Sequence, residues 1–178
     1  MMKMTVSARA ALLPLALVLA AHSAGAAAPT PAPPKPAATG DTVRLTLLHL
    51  NDVYQFQPTS QNRGGLSRVA TLRQQALKES PNVLTLMAGD TLSPSVESSA
   101  EVEGEALKGR QMIDAWNALG VDYAVVGNHE FDFGDDVLRA RLQQSRFPWL
   151  GANVMSVKSG QVFDGMKAWD LREVGGVK

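Results

Sequence analysis

With 178 residues, 17 basic and 17 acidic side chains balance to no net charge, and no basic patch stands out, so a nucleic-acid polymer is not an expected partner. The absence of cysteine removes disulfides as a source of stability and thiolate as a metal ligand. At 45% hydrophobic residues the chain has apolar material for one packed core.

The first element in chain order is a targeting segment. Lys3 and Arg9 give a positive start, and the apolar run Ala10 to Ala20 is too short to span a bilayer. Ala24-Gly25-Ala26 or Ala26-Ala27-Ala28 supplies a signal-peptidase site, so residues 1–28 are expected to be cleaved. An uncleaved N-terminal anchor is the alternative. With neither a twin arginine nor a lipobox cysteine, general secretory export follows. The expected destination is secreted or periplasmic, with no stable membrane span after cleavage. Cleavage takes away Lys3 and Arg9 and no acidic residue, leaving the mature chain slightly acidic. Residues 29–41 form a Pro/Ala-rich linker, held extended by its prolines and with nothing to bury.

Residues 42–178 remain for one domain. Val43 to Leu50 is apolar enough for a strand buried on both faces. Leu66 to Glu79 places Leu66, Val69, Leu72, Ala76 and Leu77 at helical spacing, and Pro81 stops that helix. Asn82 to Met87 reads as a second strand and Lys108 to Leu119 as a second helix, ended by Gly120. Val121 to Val126 is a third strand, and Asp135 caps a helix running to about Ser145. Trp149 to Val154 and Trp169 to Val174 follow as further strands. The alternation predicts an α/β fold, a mostly parallel sheet with helices on its faces.

The first strand runs into Asn51-Asp52, the second into Gly89-Asp90, and the third into Gly127-Asn128-His129-Glu130. Parallel strands put these ends on one edge, where open α/β sheets bind ligands. Taken singly, Asp52 reads as an Asx-turn, Gly89-Asp90 as a turn and Asn128-His129 as a cap with a surface imidazole. Repetition at three strand ends favours convergence of Asp52, Asp90, Asn128 and His129. Converging carboxylates repel unless a cation lies between them, and oxygen donors with an imidazole suit Mn²⁺, Mg²⁺, Fe or Zn²⁺. His49, inside the first strand, reads as a satisfied core histidine.

The blocks LTLLHLNDVYQ, GGLSRVATL, LTLMAGDTLSPS and VDYAVVGNHEFDFG occur in this order. Together they resemble the secreted 5′-nucleotidase and 2′,3′-cyclic phosphodiesterase family of the calcineurin-like metallophosphatase superfamily, from Val43 to Lys178. The resemblance implies the calcineurin-like metallophosphatase sandwich, a β-sheet core flanked by helices, with its N-terminal half in residues 42–178. It implies two divalent metal ions, of Mn, Mg, Zn, Co or Fe. Asp52 would bind the first, Asp90 bridge both, and Asn128 bind the second through its amide oxygen. His129, together with Asn128 on the substrate side, would meet the phosphoryl group, with Asp132 orienting the imidazole. Glu130 and Phe131 are expected to shape the turn. Tyr54 stands where the family usually has a histidine, as in a minority branch with a similar block. It is expected to line the site as a poorer ligand.

The implied activity is a metal-dependent phosphoric ester hydrolase, a 5′-nucleotidase acting on nucleotides. The alternatives are a 2′,3′-cyclic nucleotide phosphodiesterase or other phosphomonoesterase and, from a different class, a non-catalytic metal- or nucleotide-binding fragment. The family takes further histidine ligands from later sequence, and no histidine follows His129. The chain is therefore expected to be a truncated piece, inactive alone.

Overall fold

A computed structural model describes residues 42–178, and the segments read as signal peptide and linker lie outside them. In chain order these residues form β1 (Thr46–Leu50), α1 (Leu66–Glu79), β2 (Val83–Ala88), β3 (Glu101–Val102), β4 (Glu105–Ala106), α2 (Arg110–Leu119), β5 (Tyr123–Val125), α3 (Asp135–Gln144) and β6 (Trp149–Leu150). Strands β1, β2, β5 and β6 make one parallel sheet in that order, while β3 and β4 form a small antiparallel hairpin. The register pairs Leu50 with Met87 and Ala88 with Val125, so the first three strands of the sheet end side by side.

Alternation along β2 decides where the core lies. Val83, Thr85 and Met87 are buried, and Leu84, Leu86 and Ala88 less so. Met87 packs with Leu92, Met112, Ile113, Trp116, Leu138 and Trp149, each at most 1% exposed. Residues of α1, α2 and α3 all join this single cluster. Consecutive right-handed crossovers between neighbouring parallel strands put successive helices on the same face. The two tryptophans satisfy their polar ends as they bury their rings. Trp116 donates to the Thr91 hydroxyl at 2.8 Å and Trp149 to that of Ser145 at 2.9 Å.

The opposite face of the sheet is only partly covered among the described residues, by Asp170 and Arg172 against Tyr123, so β1 is not buried on both faces as expected. Leu45 is 46% exposed and Leu47 is 54% exposed, in a row with Leu84, Leu86, Val125 and Leu150. His49 lies on this face, exposed and in register with Leu86, so it is not the core histidine that its apolar neighbours suggested. Strand periodicity puts residues 45, 47 and 49 together, and in β1 that face is the one away from the helices.

Several boundaries differ from expectation, with the first and third strands starting later, at Thr46 and Tyr123. Helix α3 is not capped by Asp135. Gly134, at φ 83°, takes the cap position, and Asp135 and Asp136 enter the first turn, where the helix dipole favours them. Helix α2 begins after Lys108 because Gly109, at φ 81°, packs its bare Cα against Leu92. Strand β6 stops at Leu150, since residues 151–154 close a turn with the Val154 N–H on the Gly151 carbonyl at 3.0 Å. The segment Trp169 to Val174 forms no strand. Trp169 is 74% exposed, and side chains tie this stretch down, with Tyr123 donating to Asp170 at 2.8 Å and Arg172 paired with Asp122 at 2.8 Å.

Candidate functional site

Three loops meet where β1, β2 and β5 end. The Asp52 N–H donates to the Gly89 carbonyl at 3.1 Å, carrying the contact between β1 and β2 one step past the sheet. Asp52 and Asp90 both adopt the left-handed backbone region, at φ 54° and 59°. That conformation costs about 1–2 kcal/mol for a side-chain-bearing residue, and aspartate is among the few that visit it. Glycines supply the clearance. A Cβ on Gly89 would stand 2.5 Å from the Gly127 nitrogen, and one on Gly127 would overlap Asp90 Oδ1. The two turns are therefore in backbone contact, and the Asp90 carboxylate occupies the space that Gly127 leaves.

Asp90 Oδ1 accepts the His129 backbone N–H at 3.0 Å. Asp52 accepts the Tyr54 hydroxyl at 3.1 Å on Oδ1 and the Asn51 amide on Oδ2. Among the described residues neither aspartate forms an ion pair with a protein cation. Asn128, exposed, begins the single helical turn His129–Phe131. His129 Nδ1 lies 2.8 Å from Asp132 Oδ2, which leaves Nε2 as the free ring nitrogen. The Tyr54 ring meets the imidazole edge-on, with centroids 5.8 Å apart.

Electrostatics follow from these contacts. The Asp132 hydrogen bond raises the His129 pKa above the ordinary imidazole value; partial desolvation opposes it and the charges of Asp132, Asp90 and Glu130 reinforce it. Asp132 is held below the usual carboxylate range by His129 and then by the Ser93 hydroxyl. Desolvation, followed by the bond to Asp52, pushes Tyr54 up to about 12. Tyr54 is thus a neutral donor at physiological pH, with its proton committed to Asp52.

Glu130 plays a larger part than its sequence context suggested. It is completely buried, and its carboxylate accepts backbone N–H groups from both adjoining loops. Oε2 takes those of Asp90 at 2.8 Å and Gly127 at 2.6 Å, and Oε1 takes those of Thr91 at 2.7 Å and Leu92 at 3.3 Å. The sequence offered only one hint, an acidic residue directly after two polar ones in a glycine-led turn.

A divalent cation would have to be taken by oxygen. No group of three or more His, Cys, Asp or Glu side chains closes around a common point among the described residues. What the loops offer is Asp52, Asp90 and the amide oxygen of Asn128, a partial set with the hard-donor chemistry that Mg²⁺ or Mn²⁺ accepts alongside bound water. Among the described residues no helix is long and apolar enough to cross a membrane.

Comparisons with known proteins bear on the family and the fold. The calcineurin-like phosphoesterase family profile matches residues 45–176. A 5′-nucleotidase of Rattus norvegicus is 34% identical over 128 residues, which cover 65% of this chain and 21% of that protein. A 2′,3′-cyclic-nucleotide 2′-phosphodiesterase/3′-nucleotidase of Yersinia enterocolitica is 34% identical over 134 residues, covering 70% and 20%. Among solved structures, a 5′-nucleotidase precursor of Thermus thermophilus superimposes with a TM-score of 0.63 at 26% identity, over 74% of this chain and 26% of that one. The chain thus spans about a fifth of the length of the sequence relatives it matches. With the family profile over most of its length and the parallel sheet carrying its polar residues at the strand ends, the chain belongs to the calcineurin-like phosphoesterases, a family that uses divalent metals.

Proposed function

We propose that these loops form part of the active site of a metal-dependent phosphoric ester hydrolase, a 5′-nucleotidase that releases phosphate from nucleotides. The observation that carries this reading is the pair of left-handed aspartates, Asp52 and Asp90, on neighbouring turns beside the His129–Asp132 pair. Asp52, Asp90 and the Asn128 amide oxygen would contribute part of the ligand set for two divalent cations, with Asp90 serving both. Bound there, such ions polarise a phosphoryl oxygen and lower the pKa of water.

The chain's own residues supply the rest. Asp132 fixes Nδ1 of His129, so that Nε2 faces the phosphoryl group and can donate to it or protonate the leaving oxygen. Asn128 shares the substrate side. Tyr54 lines the site as a neutral donor to Asp52 rather than as a phenolate ligand. The signal-like start supports export to the periplasm or exterior, and the likeness to nucleotidases supports a role in nucleotide catabolism there.

Hydrolysis of 2′,3′-cyclic nucleotides is the second reading, favoured by the likeness to the Yersinia enterocolitica protein. The test is hydrolysis by the full-length gene product of AMP and 3′-AMP, read as phosphate release, and of 2′,3′-cyclic AMP, read by chromatography as ring opening to the monophosphate, after chelation and again after Mn²⁺ is restored. Activity on AMP that disappears with chelator and returns with Mn²⁺ is expected. Asp132→Ala should lower turnover by about 10- to 100-fold with little loss of metal. No hydrolysis of any of the three would leave the non-catalytic binding module as the better description.

A further inference from the structure

We propose that Glu130 is a positioning residue that sets the Asp90 carboxylate in place by fastening the turn after β2 to the turn after β5. This rests on the proposed role of Asp90 in holding metal. Three observations carry it. Glu130 is fully buried, yet it meets no cationic side chain among the described residues, and its carboxylate is occupied by the backbone N–H groups of Asp90, Thr91, Leu92 and Gly127. A buried charge persists only where such donors are fixed around it.

Second, one of those donors belongs to the residue in the unusual conformation. The Asp90 N–H, at φ 59°, points to Glu130 Oε2 while its side chain reaches Gly127 and the His129 N–H. Fixing the N–H fixes the direction in which the side chain leaves the backbone. Third, the neighbouring donor connects outward. The Thr91 hydroxyl donates to the Val53 carbonyl at 2.7 Å and accepts from Trp116 at 2.8 Å. Glu130 thereby ties all three site loops to the core, without itself facing the cleft.

The experiment compares Glu130→Gln, Glu130→Asp and Leu142→Ala in the full-length gene product. Leu142 is buried near the end of α3, against Gly165, and controls for lost stability. Five quantities are read: Mn²⁺ affinity by the free-ion resonance signal, kcat and KM for AMP, amide exchange at residues 90–92 and 127, and Tm. Glu130→Gln replaces one acceptor oxygen with an NH₂ group that opposes its N–H partners. It is expected to speed exchange at those amides, weaken Mn²⁺ binding about tenfold or more, and lower kcat with KM little changed. Glu130→Asp keeps the charge one methylene short and should fall between it and wild type. Leu142→Ala should lower Tm while leaving Mn²⁺ affinity unchanged.

Wild-type Mn²⁺ affinity and kcat in both Glu130 variants would overturn the proposal. So would a loss of affinity in Leu142→Ala equal to theirs. If Glu130→Gln does not fold, Glu130→Asp decides on the same readouts. A wild type that binds Mn²⁺ without hydrolysing any ester overturns the proposed activity alone, and one that binds no Mn²⁺ overturns both.

Discussion

The imidazole of His129 owes its raised pKa first to one partner, Asp132, which gives a pH prediction with a definite sign. A raised folded-state pKa means the proton stabilises the folded form below the ordinary histidine value and ceases to do so as pH rises through the folded value. Both groups lie at the surface, so the effect on stability is small, while the effect on chemistry need not be. Asp132→Asn is expected to return the His129 titration, followed by proton NMR of the ring, toward the ordinary value. If the imidazolium protonates the leaving oxygen, the alkaline limb of the kcat profile moves to lower pH with it. An unchanged titration would mean that Asp132 is not the source of the shift. For Tyr54→Phe the ring and its contact with His129 remain, and only the donor to Asp52 is lost. Metal content measured by elemental analysis should stay close to wild type, since the phenol keeps its proton at neutral pH. A loss of metal matching that of Asp52→Ala would identify the phenol as a ligand.

At the scale of elements, the site is made by the ends of strands and by the glycines that let those ends approach. Gly127 is the tightest of these positions, because any side chain there overlaps the Asp90 carboxylate. Gly127→Ala is therefore expected to move Asp90 and weaken metal binding by about tenfold, by analogy with losses seen when ligand-supporting groups are removed. Isothermal titration with Mn²⁺ measures it. Gly134→Ala is the matched control, with no atom within 4 Å of the added carbon, though its positive φ will strain the start of α3. Gly127, unlike Gly134, is not in the left-handed region, so equal losses of affinity in the two variants would show that crowding of Asp90 is not what matters.

Among the described residues the sheet is asymmetric, packed on one face and only partly covered on the other. Stability should follow that asymmetry. Leu138→Ala removes a side chain with no exposure and should cost about 2–5 kcal/mol in a urea titration, transfer and cavity terms together. Leu47→Ala removes one that is 54% exposed and should cost about 1 kcal/mol or less. Similar costs for the two would mean that the face carrying Leu47 is covered in solution.

Much of this arrangement was readable in the linear chain because its causes are local. The period of Leu66 to Glu79 fixes α1, the turn residues end the strands, and the strand-helix alternation makes the sheet parallel. Parallel order then brings Asp52, Asp90 and the Gly127 turn to one edge without knowledge of any contact. Elements failed where local pattern and tertiary packing disagreed. Trp169 to Val174 has a strand's composition, but Lys167 already takes the ladder position beside β6, bonded to Trp149 at 2.9 Å and Gly151 at 2.8 Å. His49 has apolar neighbours in sequence, but the alternation of β1 turns it away from the helices. The role of Glu130 depends on donors about forty residues away in the chain, brought to it by folding. Periodicity and turn chemistry act through neighbours in sequence, so the sequence by itself determined the sheet and the edge at which the polar residues gather. Which carboxylate faces the cleft and which is buried to hold the loops depends on contacts between distant segments, and only the tertiary structure decided that.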